Sequence, residues 1–165
     1  MNTFILFGAK YLYLLDVILA AIYFFLQARN KQKSIIALST IFLPLAYIIA
    51  QVIAFFYFNP RPFVVGNFTP LIPHAPDNGF PSDHMLLTSA TASILFVYNK
   101  KVGIVAWIIA IIVGVSRVYV GIHHLADIVG SVIIVIASMW VAKNYILPQV
   151  TKTKPYKRYF ESQSL

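Results

Sequence analysis

Apolar residues run through this chain in five long blocks, at about 11–28, 35–58, 84–99, 102–120 and 125–147, separated by short polar stretches. The blocks are apolar all round rather than striped, which is the pattern of helices with lipid on one side and protein on the other. A helix of about 20 apolar residues crosses about 30 Å of hydrocarbon, and only helices or closed barrels satisfy their backbone there. The pattern predicts an all-α polytopic transmembrane helix bundle of about five spans. The segment Met1–Gly8 is also apolar but too short to cross. It is expected to lie at the membrane interface or to extend the first span, in which case it makes a sixth helix. Asp16 falls inside the first block, a few residues from its end. A carboxylate is costly in hydrocarbon, so Asp16 is expected to snorkel to water.

Composition supports the membrane reading. Of the 165 residues 59% are hydrophobic and 11% charged, and mean hydropathy is +0.77, far from soluble-domain proportions. The absence of cysteine excludes disulfides, thiolate nucleophiles and thiolate metal sites. The net charge of +8 raises nucleic acid as a partner, but the charges flank the apolar blocks, where they serve as anchors facing anionic lipid. No basic side chain precedes Lys10, so the first block reads as a retained span rather than a signal peptide. Arg29, Lys31, Lys33, Lys100, Lys101, Lys143, Lys152, Lys154, Lys157 and Arg158 all fall on one side of a five-span chain. Lys10, Arg61 and Arg117 fall on the other. The positive-inside rule makes the first side cytoplasmic. The organisation expected is a membrane domain over 1–149 and a basic cytoplasmic tail over 150–165.

The polar chemistry converges on the opposite, extracytoplasmic face. One long Pro/Gly-rich loop, Asn59–Asp83, joins the second and third blocks, and long ordered loops are disproportionately functional. It begins with Asn59-Pro-Arg-Pro-Phe63 and ends in Phe80-Pro-Ser-Asp-His84. On the same face the run Ser116–Asp127 reads SRVYVGIHHLAD. Asp127 stands four residues after His123, one helical turn away if that segment is helical. A carboxylate there holds one imidazole nitrogen and leaves the other free to attack an electrophile. Arg117 and Arg61 point to an electrophile that is anionic and rich in oxygen, such as a phosphoryl group. The blander alternatives are a structural His123–Asp127 hydrogen bond and headgroup-anchoring arginines.

These three pieces, in this order, resemble the type-2 phosphatidic acid phosphatase superfamily of membrane lipid phosphatases, which share their site pattern with vanadium haloperoxidases. That pattern is Lys, six residues, Arg-Pro; Pro-Ser-Gly-His; then Ser-Arg, five residues, His, three residues, Asp. The resemblance covers residues 54–127, and the third motif matches at every fixed position. It implies His123 as nucleophile forming a phosphohistidine, Asp127 as its orienting partner and His84 as general acid. Arg61, Arg117 and Ser82 would bind phosphate, with Asp83 and Ser116 as possible modulators, and no metal or other cofactor. Two positions depart from the pattern: Ala54 stands where the lysine belongs, and Asp83 replaces the glycine. Pro-Ser-Asp-His resembles the bacterial undecaprenyl-diphosphate phosphatase branch. This implies a protein of the bacterial cytoplasmic membrane acting on undecaprenyl diphosphate. The alternatives are phosphatidate or phosphatidylglycerophosphate as substrate, or a non-catalytic carrier of lipid headgroups. His124 points about 100° away from His123 on a helix and reads as structural. His74 and Asp77 read as solvated loop residues. A zinc site of His84, His123, His124 and Asp127 is disfavoured by the flanking arginines.

Overall fold

The computed structural model describes residues 2–153 and Tyr156, and it is all-helical over these residues. The elements are α1 (Asn2–Lys10), α2 (Leu12–Phe25), α3 (Arg29–Phe56), a single turn α4 (Pro62–Val65), α5 (Asp83–Tyr98), α6 (Lys100–Tyr119) and α7 (Leu125–Val141). A π-helical turn, Ala142–Ile146, carries α7 into α8 (Leu147–Val150). Lys154, Lys157, Arg158 and most of the expected tail lie outside the described residues.

Helices α2, α3, α5, α6 and α7 are the long elements of the bundle. Three stretches are long and apolar enough to cross a membrane unaided: Arg29–Phe56, Lys100–Tyr119 and Leu125–Val150. The α1–α2 pair, bent by 53°, makes a fourth if it counts as one broken span. Helix α5 has 16 residues, a rise of about 24 Å, short of a full hydrocarbon thickness. It is instead the helix the others surround, packing on α2, α3, α6 and α7. Its sequence explains this place. Thr88, Ser89, Ala90, Ala92 and Ser93 are small and buried, and small residues let membrane helices approach closely. The approach is closest at α6, where a Cβ on Gly103 would stand 2.2 Å from the Phe96 Cα. The hydroxyls of Thr88 and Ser89 bond back to the carbonyls of His84 and Met85, so neither needs water. The outer face of α6 presents Ile104, Ile108, Ile111 and Val115, an apolar exterior suited to lipid.

The two ends of the bundle differ in character. At one, Asn99 Oδ1 caps α6 by accepting from the Lys101 and Val102 amides, and Tyr98 Oη donates to the Ser34 carbonyl at 2.6 Å. Arg29, Lys31, Lys33, Lys100, Lys101 and Lys143 belong to this end. At the other end, the C-termini of α3 and α6 meet the N-termini of α5 and α7 and the Asn59–Asp83 loop.

Asp16 departs from expectation. It is fully buried (0% exposed) within α2, and neither carboxylate oxygen has a hydrogen-bond partner among the described residues. The snorkelling account fails because the side chain turns into the bundle rather than along its surface.

Candidate active site

The Asn59–Asp83 loop is ordered by one amide side chain. Asn78 Oδ1 accepts from the Asn59 and Phe80 amides at 2.9 and 3.0 Å, and its Nδ2 donates to the Ala54 and Tyr57 carbonyls. The Gly79 amide closes the loop on the Asn59 carbonyl at 2.8 Å. Four otherwise unpaired backbone groups are thereby satisfied. Gly79 is required by close approach: a Cβ would lie 3.0 Å from the Asn59 carbonyl oxygen and 3.1 Å from Asp127 Oδ2.

His123 stands in the turn before α7, not on the helix, because the chain becomes helical only at Leu125. The expected one-turn helical pairing with Asp127 is replaced by a different geometry. Asp127 lies in the first turn of α7, where its Oδ2 accepts the His124 amide at 2.8 Å and neutralises part of the helix N-terminus. The same oxygen lies 3.4 Å from His123 Nδ1. Oδ1 accepts from Asn59 Nδ2 at 2.6 Å. The nearest partner of His123 Nδ1 is the Gly79 carbonyl at 2.9 Å. A carbonyl only accepts, so Nδ1 carries the proton and Nε2 carries the lone pair. Nε2 faces Arg61 Nη1 at 3.3 Å and Arg117 Nη2 at 3.4 Å. Burial pushes the imidazole below its ordinary pKa; the Asp127 hydrogen bond opposes this and the two guanidiniums add to it. The ring is therefore buried and neutral, with its lone pair at Nε2.

Each arginine is aimed from behind. Arg61 Nε donates to Asp77 Oδ1 at 2.6 Å, Nη1 to the Ile122 carbonyl at 2.8 Å and Nη2 to the Asn78 carbonyl at 3.3 Å. Arg117 Nη1 donates to the Ala9 carbonyl of α1 at 3.0 Å. Arg117 Nε and Ser82 Oγ are buried without a partner among the described residues. Buried orphan donors are rare, and an oxyanion placed against Nε2 and the guanidiniums would meet such a need. Ser82 occupies the N-cap position of α5 without a side-chain cap bond, and its amide donates to Ser131 Oγ of α7 at 3.0 Å, a hydroxyl that also donates to the Asp127 carbonyl at 2.7 Å. Ser131 thus ties the second motif to the third.

The remaining sequence-identified residues are placed as follows. His84 begins α5 with its ring edge-on to Tyr13, centroids 4.7 Å apart, and within electrostatic reach of Arg117, His123 and His74. His124 Nε2 meets the Pro60 carbonyl at 3.1 Å, a structural contact. Asp83 is exposed on the first turn of α5. Ser116 lies against α1, where a Cβ on Gly8 would come within 2.5 Å of its Oγ. Among the described residues, no three His, Asp or Glu side chains converge as a metal site.

Sequence reasoning missed four contributors: Asn59, Asn78, Ser131 and the Asp77–Arg61 pair. Asp77 is not merely solvated, since it holds Arg61, whose Nη1 faces His123 Nε2. No periodic signal marks any of them; Asn59 alone sits in a motif, between the Ala54 position and Arg61.

Comparison with known proteins fits this geometry. The profile described as "PAP2 superfamily" matches residues 33–150. The chain belongs to the PAP2 superfamily. Among PAP2 relatives, the undecaprenyl-diphosphatase BcrC of Bacillus subtilis (strain 168) is 39% identical over 54% of this chain and 46% of its own length. The protein named bacitracin transport permease protein BcrC, of Bacillus licheniformis, is 28% identical over 86% of this chain and 70% of its own. The chain thus matches under half of the first relative's length. In structure it is similar to the transmembrane PAP2-type phosphatidylglycerolphosphate phosphatase from Bacillus subtilis, with a TM-score of 0.59 and 26% identity over 93% of this chain and 77% of that one.

The two acceptors around His123 Nδ1 make a specific prediction for the PAP2 site. In Asp127→Asn the Gly79 carbonyl still fixes the tautomer; what is lost is the stabilising charge and one of the two hydrogen bonds that the carboxylate accepts from Asn59 Nδ2 and the His124 amide. Turnover is expected to fall about 100-fold to 1,000-fold, less than when a triad carboxylate alone sets the tautomer. Single-turnover kinetics check this, and a loss equal to that of His123→Ala would refute it.

Proposed function

We propose that this PAP2 protein is a metal-independent lipid phosphatase that removes the terminal phosphate of undecaprenyl diphosphate through a phosphohistidine. The observation that carries the reading is His123 Nε2, held deprotonated by Gly79 and facing two guanidiniums at 3.3 and 3.4 Å. Nε2 attacks the terminal phosphorus, and the bond to the bridging oxygen breaks, releasing the lipid phosphate. His84 protonates that oxygen as it leaves. Water then attacks the phosphohistidine, giving its proton to His84, and inorganic phosphate departs. Arg61 and Arg117 hold the transferring oxygens throughout, the electrostatic part a divalent metal plays elsewhere.

Substrate identity rests on the relatives' names and on the site's position. A largely apolar groove of about 520 Å³ opens beside His123 and His124, lined by Phe68, Leu71, Val118, Val120 and Leu125 among others. It touches neither arginine, so it suits the hydrocarbon tail rather than the phosphate. The basic residues at the opposite end support an extracytoplasmic site and a cytoplasmic tail in a bacterial cytoplasmic membrane. Phosphatidate and phosphatidylglycerophosphate are alternative substrates of the same chemistry. The permease name of the Bacillus licheniformis relative favours a second reading, a non-catalytic headgroup carrier.

Phosphate release by purified protein in EDTA decides between them. Faster release from undecaprenyl diphosphate than from phosphatidate is expected, and no release from either favours the carrier. Because burial lowers the His123 pKa, the nucleophile stays neutral as pH falls. The acid limb of kcat/KM belonging to His123 is therefore expected below pH ~6.5, the ordinary imidazole value. A limb above that value would contradict the assignment.

A further inference from the structure

We propose that His74 is a substrate-contacting residue that gives this site its preference for a diphosphate over a monophosphate. The proposal rests on the phosphatase reading above and deepens it.

His74 lies midway along the Asn59–Asp83 loop, where its ring stands edge-on to the nucleophile, centroids 6.2 Å apart. Its Nδ1 is 4.0 Å from Asp77 Oδ1, the oxygen that also accepts from Arg61 Nε. His74 is thus tied through Asp77 to an arginine that faces Nε2. Its side chain is 25% exposed, whereas Arg61, Arg117 and His123 are buried. The imidazole therefore borders the mouth, between solvent and the position of the reacting phosphoryl group. A phosphoryl group seated against His123 and both arginines leaves the second phosphate of a diphosphate on this outer side.

Charge completes the argument. The groups facing His74 are Arg61 and Asp77 from its own loop, Arg117 from α6, His123 from the turn before α7 and His84 from α5. Two guanidiniums oppose the roughly three charges of a bound diphosphate. His84 is engaged as proton donor, Ala54 supplies nothing, and Lys10 is exposed on α1. In the free protein, burial and the Arg61 charge, with a smaller contribution from Arg117, push His74 below its ordinary pKa; the Ala75 carbonyl and Asp77 pull the other way. A second phosphate reverses the sign of that field. His74 then takes a proton and becomes a cation that pairs with the anion, while a monophosphate held deeper does not recruit it.

The test uses the purified full chain in detergent, with His74→Gln and His74→Lys. For undecaprenyl diphosphate, His74→Gln is expected to raise KM about tenfold, the loss of one charge-assisted contact, with kcat within about twofold. KM for phosphatidate is expected to stay within about twofold. His74→Lys is expected to restore the low KM and hold it at pH ~8.5, where that of the wild type has risen. Equal losses on both substrates, or no rescue by lysine, would overturn the proposal. Thermal shifts with inorganic pyrophosphate and inorganic phosphate need no turnover. A larger shift with pyrophosphate that vanishes in His74→Gln supports His74 even if undecaprenyl diphosphate is not hydrolysed, which would count against the phosphatase reading alone. Equal shifts in the two proteins would refute the role of His74.

Discussion

His123→Ala is expected to lower kcat by about 10,000-fold or more, because the proposed covalent mechanism loses its nucleophile and the remaining groups act as a unit with it. The structure makes this sharper than a motif match does. His123 is buried, its Nδ1 proton is committed to Gly79, and Nε2 faces both arginines. Among the described residues the adjacent His124 does not duplicate this arrangement, since its Nε2 is turned to the Pro60 carbonyl. A phosphoramidate bond survives alkali, so labelled substrate quenched in base is expected to leave phosphate on the wild-type protein and none on the variant. An unchanged thermal midpoint would show that the fold is intact. Activity within tenfold of wild type would move the nucleophile elsewhere.

Replacing either arginine by lysine is expected to cost about 1,000-fold in kcat/KM, for different reasons. Phosphoryl transfer depends on a guanidinium spreading charge over the transferring oxygens, and a lysine offers one compact charge without the fork. Arg117 is anchored through a single carbonyl, that of Ala9, so Arg117→Lys should leave the rest of the site in place. Arg61 holds Asp77, Ile122 and Asn78 at once, and Arg61→Lys should also loosen the Asn59–Asp83 loop. Hydrogen exchange separates the two. Faster exchange at residues 59–83 is expected only for Arg61→Lys, and equal exchange in both variants would refute this division of labour.

The helices and the third motif were legible in the sequence for physical reasons. Long apolar blocks leave few alternatives to membrane helices, and the spacing of Arg117, His123 and Asp127 lies within one local segment. The partners that hold those residues were not legible. Asn59 reaches Asp127 across 68 positions, and Ser131 reaches Ser82 across 49; contacts so remote leave no periodicity behind. The expected pairing of His123 with Asp127 is present at 3.4 Å, but not along a helix face: α7 begins only at Leu125, and an acidic residue in a helix's first turn caps the backbone before it as readily as it faces a neighbour. Asp16 was misjudged because its depth in the sequence says nothing about which way α2 turns it. The bend between α1 and α2 was invisible too, for both segments are apolar on either side of Lys10.

The bond from Arg117 to the Ala9 carbonyl joins residues 108 positions apart. During synthesis the first helix must wait in the membrane with that carbonyl unmet until the sixth arrives beside it. Helix α5, bearing Ser82 and His84, is already made by then, and His123 and Asp127 follow within a few residues. The arrangement around Arg117 is therefore a late acquisition of the growing chain: it is completed only when α6 comes to lie beside α1.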